Sequence, residues 1–261
     1  MSIIQKSNKD LAVQALNNFS SVREKMRFCC NVGMETRDEE IAKMDLASKM
    51  LLLIARKEEI REAVWSGKEY VVYFDMDGIT HNWRKDILKE YPEFKNIDEL
   101  NKHPDKDKLV RAVYDKYPDF FRDLEPMNRG LDMAVRLIGN GINVKFLTAV
   151  DPVGESRPIR RGKREALTTA LKERGIVTLP DIVYTEDSAG KKFYAEEHAI
   201  LVDDYLVNIR EWQVAGGYAI HVDTEEKEEY EAWKVGEVLL QVLIDETRRF
   251  RLACKSFGKD Y

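Results

Sequence analysis

Cysteine is scarce in this chain of 261 residues, which has only Cys29, Cys30 and Cys254. An odd count with two adjacent members is a poor framework for disulfides, so a reducing, cytoplasmic compartment is the simpler interpretation. Apolar runs are also short, and none approaches the about 18 residues that a membrane span needs. The opening residues, MSIIQKSNKD, lack the apolar core of a signal peptide. We therefore expect a cytoplasmic protein with no membrane partner.

The chain also lacks an excess of positive charge. It has 42 Lys and Arg against 47 Asp and Glu, for a formal net charge of −5. Domains that bind nucleic acid are usually basic, so we expect no polynucleotide partner. No cluster of histidine and cysteine has the spacing of a zinc site. With 44% hydrophobic residues, the chain can bury a sizeable core.

The most informative stretch is VVYFDMDGIT, from Val71 to Thr80. Its first four residues are apolar without alternation, which is typical of a strand buried on both faces. Asp75 and Asp77 follow directly, with Gly78 after them. In open α/β sheets this end of a strand is where ligands bind. The two acids are therefore candidates for holding a cation or moving a proton.

Further apolar strands alternate with helical patterns along the rest of the chain. Strands are predicted at 142–147, 182–185, 198–202 and 218–222, and helices at 128–139, 163–174, 208–216 and 226–253. Residues 151–162 are rich in Pro, Gly and Arg and are predicted to form an irregular loop. The alternation predicts an α/β fold with a parallel sheet and helices on both faces.

A second acid pair, Asp203 and Asp204, follows the strand at 198–202. Four carboxylates meeting at neighbouring strand ends would repel one another strongly without a divalent cation. Ligands made only of oxygen suit Mg²⁺. The sequence thus predicts a Mg²⁺ site at the carboxyl edge of the sheet.

The segments FDMDG, FLTA, Lys163 and LVDD, in this order, resemble the four motifs of the haloacid dehalogenase (HAD) superfamily of phosphatases. Within it, PDFFRDLEPMNRGLDMAVRL and LVDDYLVNIREWQVAGGYAI are similar to segments of the 5′(3′)-deoxyribonucleotidase family. The likeness covers about residues 70–233. It implies a HAD-like Rossmannoid core with a small helical cap inserted at about 79–127.

The resemblance implies roles for residues at the matching positions. Asp75 would attack phosphorus as the nucleophile, and Asp77 would act as general acid and then as general base. Thr148 and Lys163 would hold the phosphoryl oxygens, and Gly78 would permit a tight turn beside the ligand.

Mg²⁺ would be bound by Asp75, the backbone carbonyl of Asp77 and Asp204, with Asp203 as a neighbour. Asp204 is favoured over Asp203 as the direct ligand by family analogy alone. Lys191 and Lys192 also follow a strand and are rivals of Lys163 for the phosphate.

The implied substrate is a nucleoside 5′-monophosphate, such as dUMP or dTMP. Trp83, Phe120 and Phe121 in the cap are candidates to stack on a base, and His81 and Asn82 to hydrogen-bond to it. Alternatives are another small phosphomonoester, such as a sugar phosphate, and a non-catalytic interaction protein on the same fold.

The chain departs from the nucleotidase pattern at positions that bear on the substrate rather than on phosphate chemistry. Ile79 to Trp83 differ from the usual continuation after the first motif. Pro152 and Ser188 stand where the family often has basic residues, and Arg157, Arg160 and Arg161 are candidates to take their place.

Residues 1–66 precede the first core strand and are predicted to form two helices around a break at Gly33, the second with a capping box at Thr36. We therefore divide the chain into a helical segment, 1–66, and a phosphatase-like core, 67–261. The apolar stripes of the helices must be covered, and we expect self-association, most simply a homodimer.

Overall fold

The computed structural model of the protein describes residues 46–150, 156–222 and 229–257. The first predicted helix, the capping box at Thr36, Cys29, Cys30 and Pro152 lie outside these ranges. Among the described residues, no helix combines the length and the apolar character needed to cross a bilayer.

The helices and strands alternate as the sequence pattern predicts. The strands are β1 (Val71–Phe74), β2 (Asn143–Ala149), β3 (Ile182–Thr185), β4 (Ala199–Asp203) and β5 (Tyr218–His221). The helices are α1 (Leu46–Trp65), α2 (Trp83–Glu90), α3 (Ile97–Asn101), α4 (Lys106–Lys116), α5 (Asn128–Gly139), α6 (Ser156–Glu173), α7 (Leu206–Val214) and α8 (Glu229–Ser256), with a 3-10 helix at Ser188–Tyr194.

The five strands form one parallel sheet in the order β3-β2-β1-β4-β5. Successive side chains of a strand point to opposite faces, and Val72, Tyr73 and Phe74 of β1 are all buried. On one face Tyr73 packs in a cluster with Ile209 and Trp212 of α7. The predicted α/β fold with a parallel Rossmann-like sheet is therefore confirmed, and β1 lies at its centre.

One predicted boundary is wrong in a way that affects the site. Residues 156–162 are not an irregular loop but the first two turns of α6, so Lys163 lies within the helix rather than at its start. Pro158 is compatible with this position because the first four N–H groups of a helix have no intrahelical partner.

The segment between β1 and α5 carries the short helices α2 to α4. Its two ends are held side by side, because the amide of Asn82 donates to the carbonyl of Glu125 (2.9 Å) and the amide of Met127 donates to that of Thr80 (2.8 Å). The helices share a small apolar core, made of Ile87, Ile97, Leu100, Val113, Phe120, Phe121 and Leu124. We call this segment, residues 79–127, the cap.

The chain separates into two compact units. One comprises residues 69–237, with the sheet and the cap, and contains every residue of the candidate site. The other joins the described residues up to Lys68 to those from Val238 onward. Within it, Trp65 donates a hydrogen bond to Glu246 (2.9 Å) and lies edge-on to Phe250. The division at residue 66 that the sequence suggests stays a prediction.

Candidate active site

Acidic and hydroxyl side chains meet at the carboxyl edge of the sheet. Asp75 directly follows β1, Thr148 is the penultimate residue of β2, and Asp203 is the last residue of β4. Because β1 pairs with both β2 and β4 in parallel, the three strand ends lie side by side. The sheet topology therefore brings the three side chains together, and all three are buried.

A lysine from the 3-10 helix forms ion pairs with two of these carboxylates. The ammonium of Lys191 lies 2.7 Å from Oδ1 of Asp75 and 2.7 Å from Oδ2 of Asp203. Burial acts to lower the pKa of Lys191, but the two carboxylates outweigh it and the pKa is raised. Lys191 therefore stays charged beside Asp75, and it is the lysine that the sequence named only as a rival. Lys192 instead pairs with Glu211.

The environment of Asp75 disfavours its charge in the absence of a further cation. Burial is the largest cause and raises the pKa of Asp75 to about 7, with Lys191 acting against it and Asp203 and Asp77 adding to it. Burial likewise raises the pKa of Asp204. A buried carboxylate so perturbed in the wall of a cavity is typical of a functional group.

A second buried lysine, Lys163, contacts Asp77 and Thr148. Its ammonium donates to the Thr148 hydroxyl (2.7 Å), to the Ala149 carbonyl (3.0 Å) and to Oδ2 of Asp77. The other carboxylate oxygen of Asp77, Oδ1, is buried and has no hydrogen-bond partner among the described residues. An unpartnered buried oxygen is costly, and here it is one that a substrate group or water would satisfy.

Three carboxylates are arranged so that they could hold a metal ion. Asp75, Asp203 and Asp204 each offer an oxygen, and these atoms all lie within 4.8 Å of one another. A set of buried carboxylate oxygens fits a hard divalent cation such as Mg²⁺, and the cation would offset both the burial of these charges and the repulsion between them.

The two acids of the second pair differ in how much of their bonding is already used. Asp203 accepts from the Tyr205 amide (2.8 Å), from Asn208 Nδ2 (2.9 Å) and from Lys191. Asp204 instead forms an ion pair with Arg84, at 2.7 Å between Nη2 and Oδ2. Asp203 thus accepts hydrogen bonds from three donors of the sheet domain, whereas Asp204 is paired with one arginine of the cap.

A cavity of about 1250 Å³ opens above these residues. Its wall includes Asp75, Asp77, Lys163, Lys191 and Asp204 from the site, and Trp83, Arg84, Arg111, Tyr114 and Phe121 from the cap. A small organic phosphate fits in a space of this size.

Only some of the predicted substrate-binding residues line this cavity. Trp83 and Phe121 line it, whereas Phe120, His81 and Asn82 are not among the described residues of its wall. Phe120 packs in the core of the cap. The His81 ring is buried and bonded to the Thr80 hydroxyl (3.0 Å), and burial lowers its pKa to about 4. The Asn82 side chain caps α2 through the Lys85 amide.

Two residues of the site carried too weak a signal in the sequence. Arg84 stands in an ordinary charged helix turn, and its reach to Asp204 depends on how the cap folds over the sheet. Lys191 precedes the second acid pair in the sequence, which could have favoured it over Lys192. However, the direction of its side chain in a 3-10 helix does not follow from sequence spacing.

Comparisons with protein-family models and with curated proteins find no match. Among solved structures, the chain is similar to a HAD hydrolase, family IA, variant 3, from Entamoeba histolytica, at 12% identity and a TM-score of 0.46, over 69% of this chain and 99% of that one. It is also similar to the D,D-heptose 1,7-bisphosphate phosphatase from Burkholderia thailandensis, at 12% identity and a TM-score of 0.37, over 64% of this chain and 86% of that one.

Proposed function

We propose that this protein is a phosphomonoester hydrolase of the haloacid dehalogenase type, with Asp75 as its nucleophile. One observation carries the proposal: Asp75, at the end of the central strand, lines the same cavity as Asp77, Lys163 and Lys191, and the Thr148 hydroxyl is bonded to Lys163. An acid pair alone would fit many proteins, but a nucleophile, a second acid and two buried lysines together fit phosphoryl transfer.

In the first half of the reaction, an oxygen of Asp75 forms a bond to phosphorus as the ester bond breaks. The leaving alkoxide takes a proton from Asp77. Lys163 bonds Oδ2 of Asp77, so Oδ1, the oxygen without a partner among the described residues, is the one placed to carry that proton. Lys163, Lys191 and Thr148 hold the charge of the phosphoryl oxygens.

In the second half, water attacks the phosphorus of the aspartyl-phosphate and Asp77 takes its proton. The bond between phosphorus and Asp75 then breaks, which releases inorganic phosphate and restores the carboxylate. Splitting one difficult displacement into two easier ones is the benefit of a covalent intermediate.

The metal of this site would be Mg²⁺, held by Asp75, Asp204 and the backbone carbonyl of Asp77. Its chemistry there is to offset the repulsion between a carboxylate nucleophile and a phosphate dianion. The saturation of Asp203 by three donors supports Asp204 as the direct ligand and Asp203 as the residue that positions Lys191.

A nucleoside 5′-monophosphate, such as dUMP or dTMP, is the substrate that the cavity supports best. Trp83, Tyr114 and Phe121 give its wall an aromatic part, and any base can stack on such a surface. A sugar phosphate is the second candidate, because Lys106, Asp107 and Arg111 also line the cavity and offer groups for sugar hydroxyls. The presence of the complete set of site residues weighs against a non-catalytic interaction protein.

The test is a screen of phosphate release over nucleoside monophosphates and sugar phosphates in the presence of Mg²⁺. Turnover that disappears in the Asp75→Asn variant is the expected result. Absence of turnover on every phosphomonoester with purified, folded protein contradicts the proposed activity.

A further inference from the structure

The ion pair between Arg84 and Asp204 joins the cap to the candidate metal site. Arg84 is the second residue of α2, and its guanidinium lies 2.7 Å from Oδ2 of Asp204. The Arg84 side chain is 20% exposed and that of Asp204 only 6%. Arg84 also lines the cavity. A cationic group from the cap therefore touches the carboxylate that the proposed function assigns to the metal.

The surroundings of Asp204 leave little room for two cations. The turn after β1 approaches the same oxygen so closely that a Cβ on Gly78 would lie 1.8 Å from it. A guanidinium cannot lose its charge at any pH that proteins tolerate. It must therefore move aside, or share the carboxylate with a divalent cation at short range, where like charges repel strongly.

We propose that Arg84 and the divalent cation compete for the Asp204 carboxylate, and that the displaced guanidinium becomes a ligand of the substrate phosphate. This inference rests on the proposed function and deepens it by assigning a specific binding residue. Arginine suits the second role because its planar fork matches the oxygens of a phosphate. The position of Arg84 on the cavity wall keeps the guanidinium within the site after it leaves Asp204.

The competition makes a prediction that a merely structural ion pair does not. If the Arg84–Asp204 pair blocks metal binding, only molecules in which the pair is broken bind the metal. The apparent affinity for metal is then the intrinsic affinity multiplied by the fraction of those molecules. Removing the guanidinium then tightens metal binding. If the pair only orients Asp204, its removal weakens metal binding or leaves it unchanged.

The experiment compares the wild type with Arg84→Gln, and with Lys85→Gln as the matched control. Lys85 is the next residue of α2 and pairs with Glu125 at a half-exposed position, outside the cavity wall that the structure describes. Calorimetric titration of metal-stripped protein with MgCl₂, without substrate, gives the first readout. Titration with inorganic phosphate at saturating Mg²⁺ gives the second.

For Arg84→Gln we expect Mg²⁺ to bind about three- to tenfold more tightly and inorganic phosphate about fivefold or more weakly, with Lys85→Gln unchanged in both. Arg84→Lys, which keeps the charge without the fork, should recover part of the phosphate affinity. Equal or weaker Mg²⁺ binding in Arg84→Gln overturns the competition, and unchanged phosphate binding overturns the ligand role. If the wild type binds no Mg²⁺ at all, this inference and the metal site of the proposed function both fail, whereas equal Mg²⁺ binding in both proteins overturns only the inference.

Discussion

Gly78 and Asp204 approach each other so closely that no side chain fits between them. A Cβ built on Gly78 would lie 1.8 Å from Oδ2 of Asp204 and 2.6 Å from its Cγ. Gly78 also has a φ of 85°, in the left-handed region that side chains rarely adopt. The turn after β1 thus packs directly onto the acid that follows β4, and glycine is the residue that permits this.

Gly78→Ala is expected to disturb the site through both effects. Strain at this φ costs on the order of 1–3 kcal/mol of unfolding free energy, and the displaced Asp204 should lower the affinity for Mg²⁺. Gly139→Ala is the control, because a Cβ there meets nothing within 4 Å. Thermal unfolding and Mg²⁺ titration of both variants measure the difference. A Gly78→Ala protein with wild-type metal affinity contradicts the packing described here.

Asp75→Asn is expected to abolish phosphatase turnover, with kcat lower by several orders of magnitude, because an amide cannot form the acyl-phosphate. Phosphate release by freshly purified variant is the measurement, with circular dichroism to show that it folds. Substantial Mg²⁺-dependent turnover in this variant refutes the nucleophile assignment.

The same variant should alter how the stability of the metal-free protein depends on pH. Burial raises the pKa of Asp75 from its usual value near 4 to about 7. The folded state therefore holds this proton more tightly than the unfolded state, so the contribution of Asp75 is favourable below about pH 4 and is lost as the pH rises through about 7. In EDTA, the fall in melting temperature between pH 5 and pH 8 should be smaller for Asp75→Asn than for the wild type. An equal or larger fall means that the buried charge of Asp75 is not costly.

Sequence pattern was sufficient for the sheet but not for the contacts within the site. The unbroken apolar run before Asp75 and the run before Asp203 indicate buried parallel strands, and topology then brings their ends together. The direction of a side chain depends on local geometry that spacing does not carry. His81 and Asn82 follow the turn after β1, yet the His81 ring bonds to Thr80 and the Asn82 side chain caps α2. Lys191 and Arg84 reach the acids only because the 3-10 helix and the cap fold over the same edge.

The two acids of the second pair should respond differently to substitution. Asp204→Ala is expected to weaken Mg²⁺ binding, since it removes the proposed ligand, and it also removes the ion-pair partner of Arg84. Asp203→Ala leaves the Asn208 amide and the Tyr205 amide without this acceptor and leaves Lys191 with Asp75 alone, so it should mainly lower stability, because unsatisfied buried donors are costly. Mg²⁺ titration and thermal unfolding of both variants test this difference. For the wild type, we expect EDTA to abolish the phosphatase activity. If Asp203→Ala loses more metal affinity than Asp204→Ala, the ligand assignment is reversed.

Self-association through the first 66 residues is a separate expectation from the sequence. Apolar stripes on helices are normally covered, either within the chain or by a second copy. We expect the full chain to form a two-fold dimer at micromolar concentration, and light scattering over a dilution series measures its mass. A monomer at every concentration leaves burial within the chain as the explanation.

Substrate choice should depend on the aromatic part of the cavity wall, where Phe120 and Phe121 provide a natural comparison. Both are buried in the core of the cap and their rings are in contact, but only Phe121 is among the residues that line the cavity. Phe121 lies beside Lys163, whose ammonium is 4.9 Å from the centre of the Phe121 ring. Trp83, on the same wall, is fixed by a hydrogen bond from its indole to the Tyr114 hydroxyl (2.9 Å).

Stacking of one base on an aromatic side chain is worth about 1–3 kcal/mol, which corresponds to about five- to 150-fold in affinity. We therefore expect kcat/KM for dUMP or dTMP to exceed that for ribose 5-phosphate by about tenfold or more. Phe121→Ala and Trp83→Ala should reduce this ratio, whereas Phe120→Ala should lower stability and leave the ratio largely unchanged. Steady-state kinetics on the nucleotide and the sugar phosphate with each variant give the ratio directly. If ribose 5-phosphate is as good a substrate as either nucleotide, the nucleotide preference is wrong, and the phosphate chemistry of Asp75 stands without it.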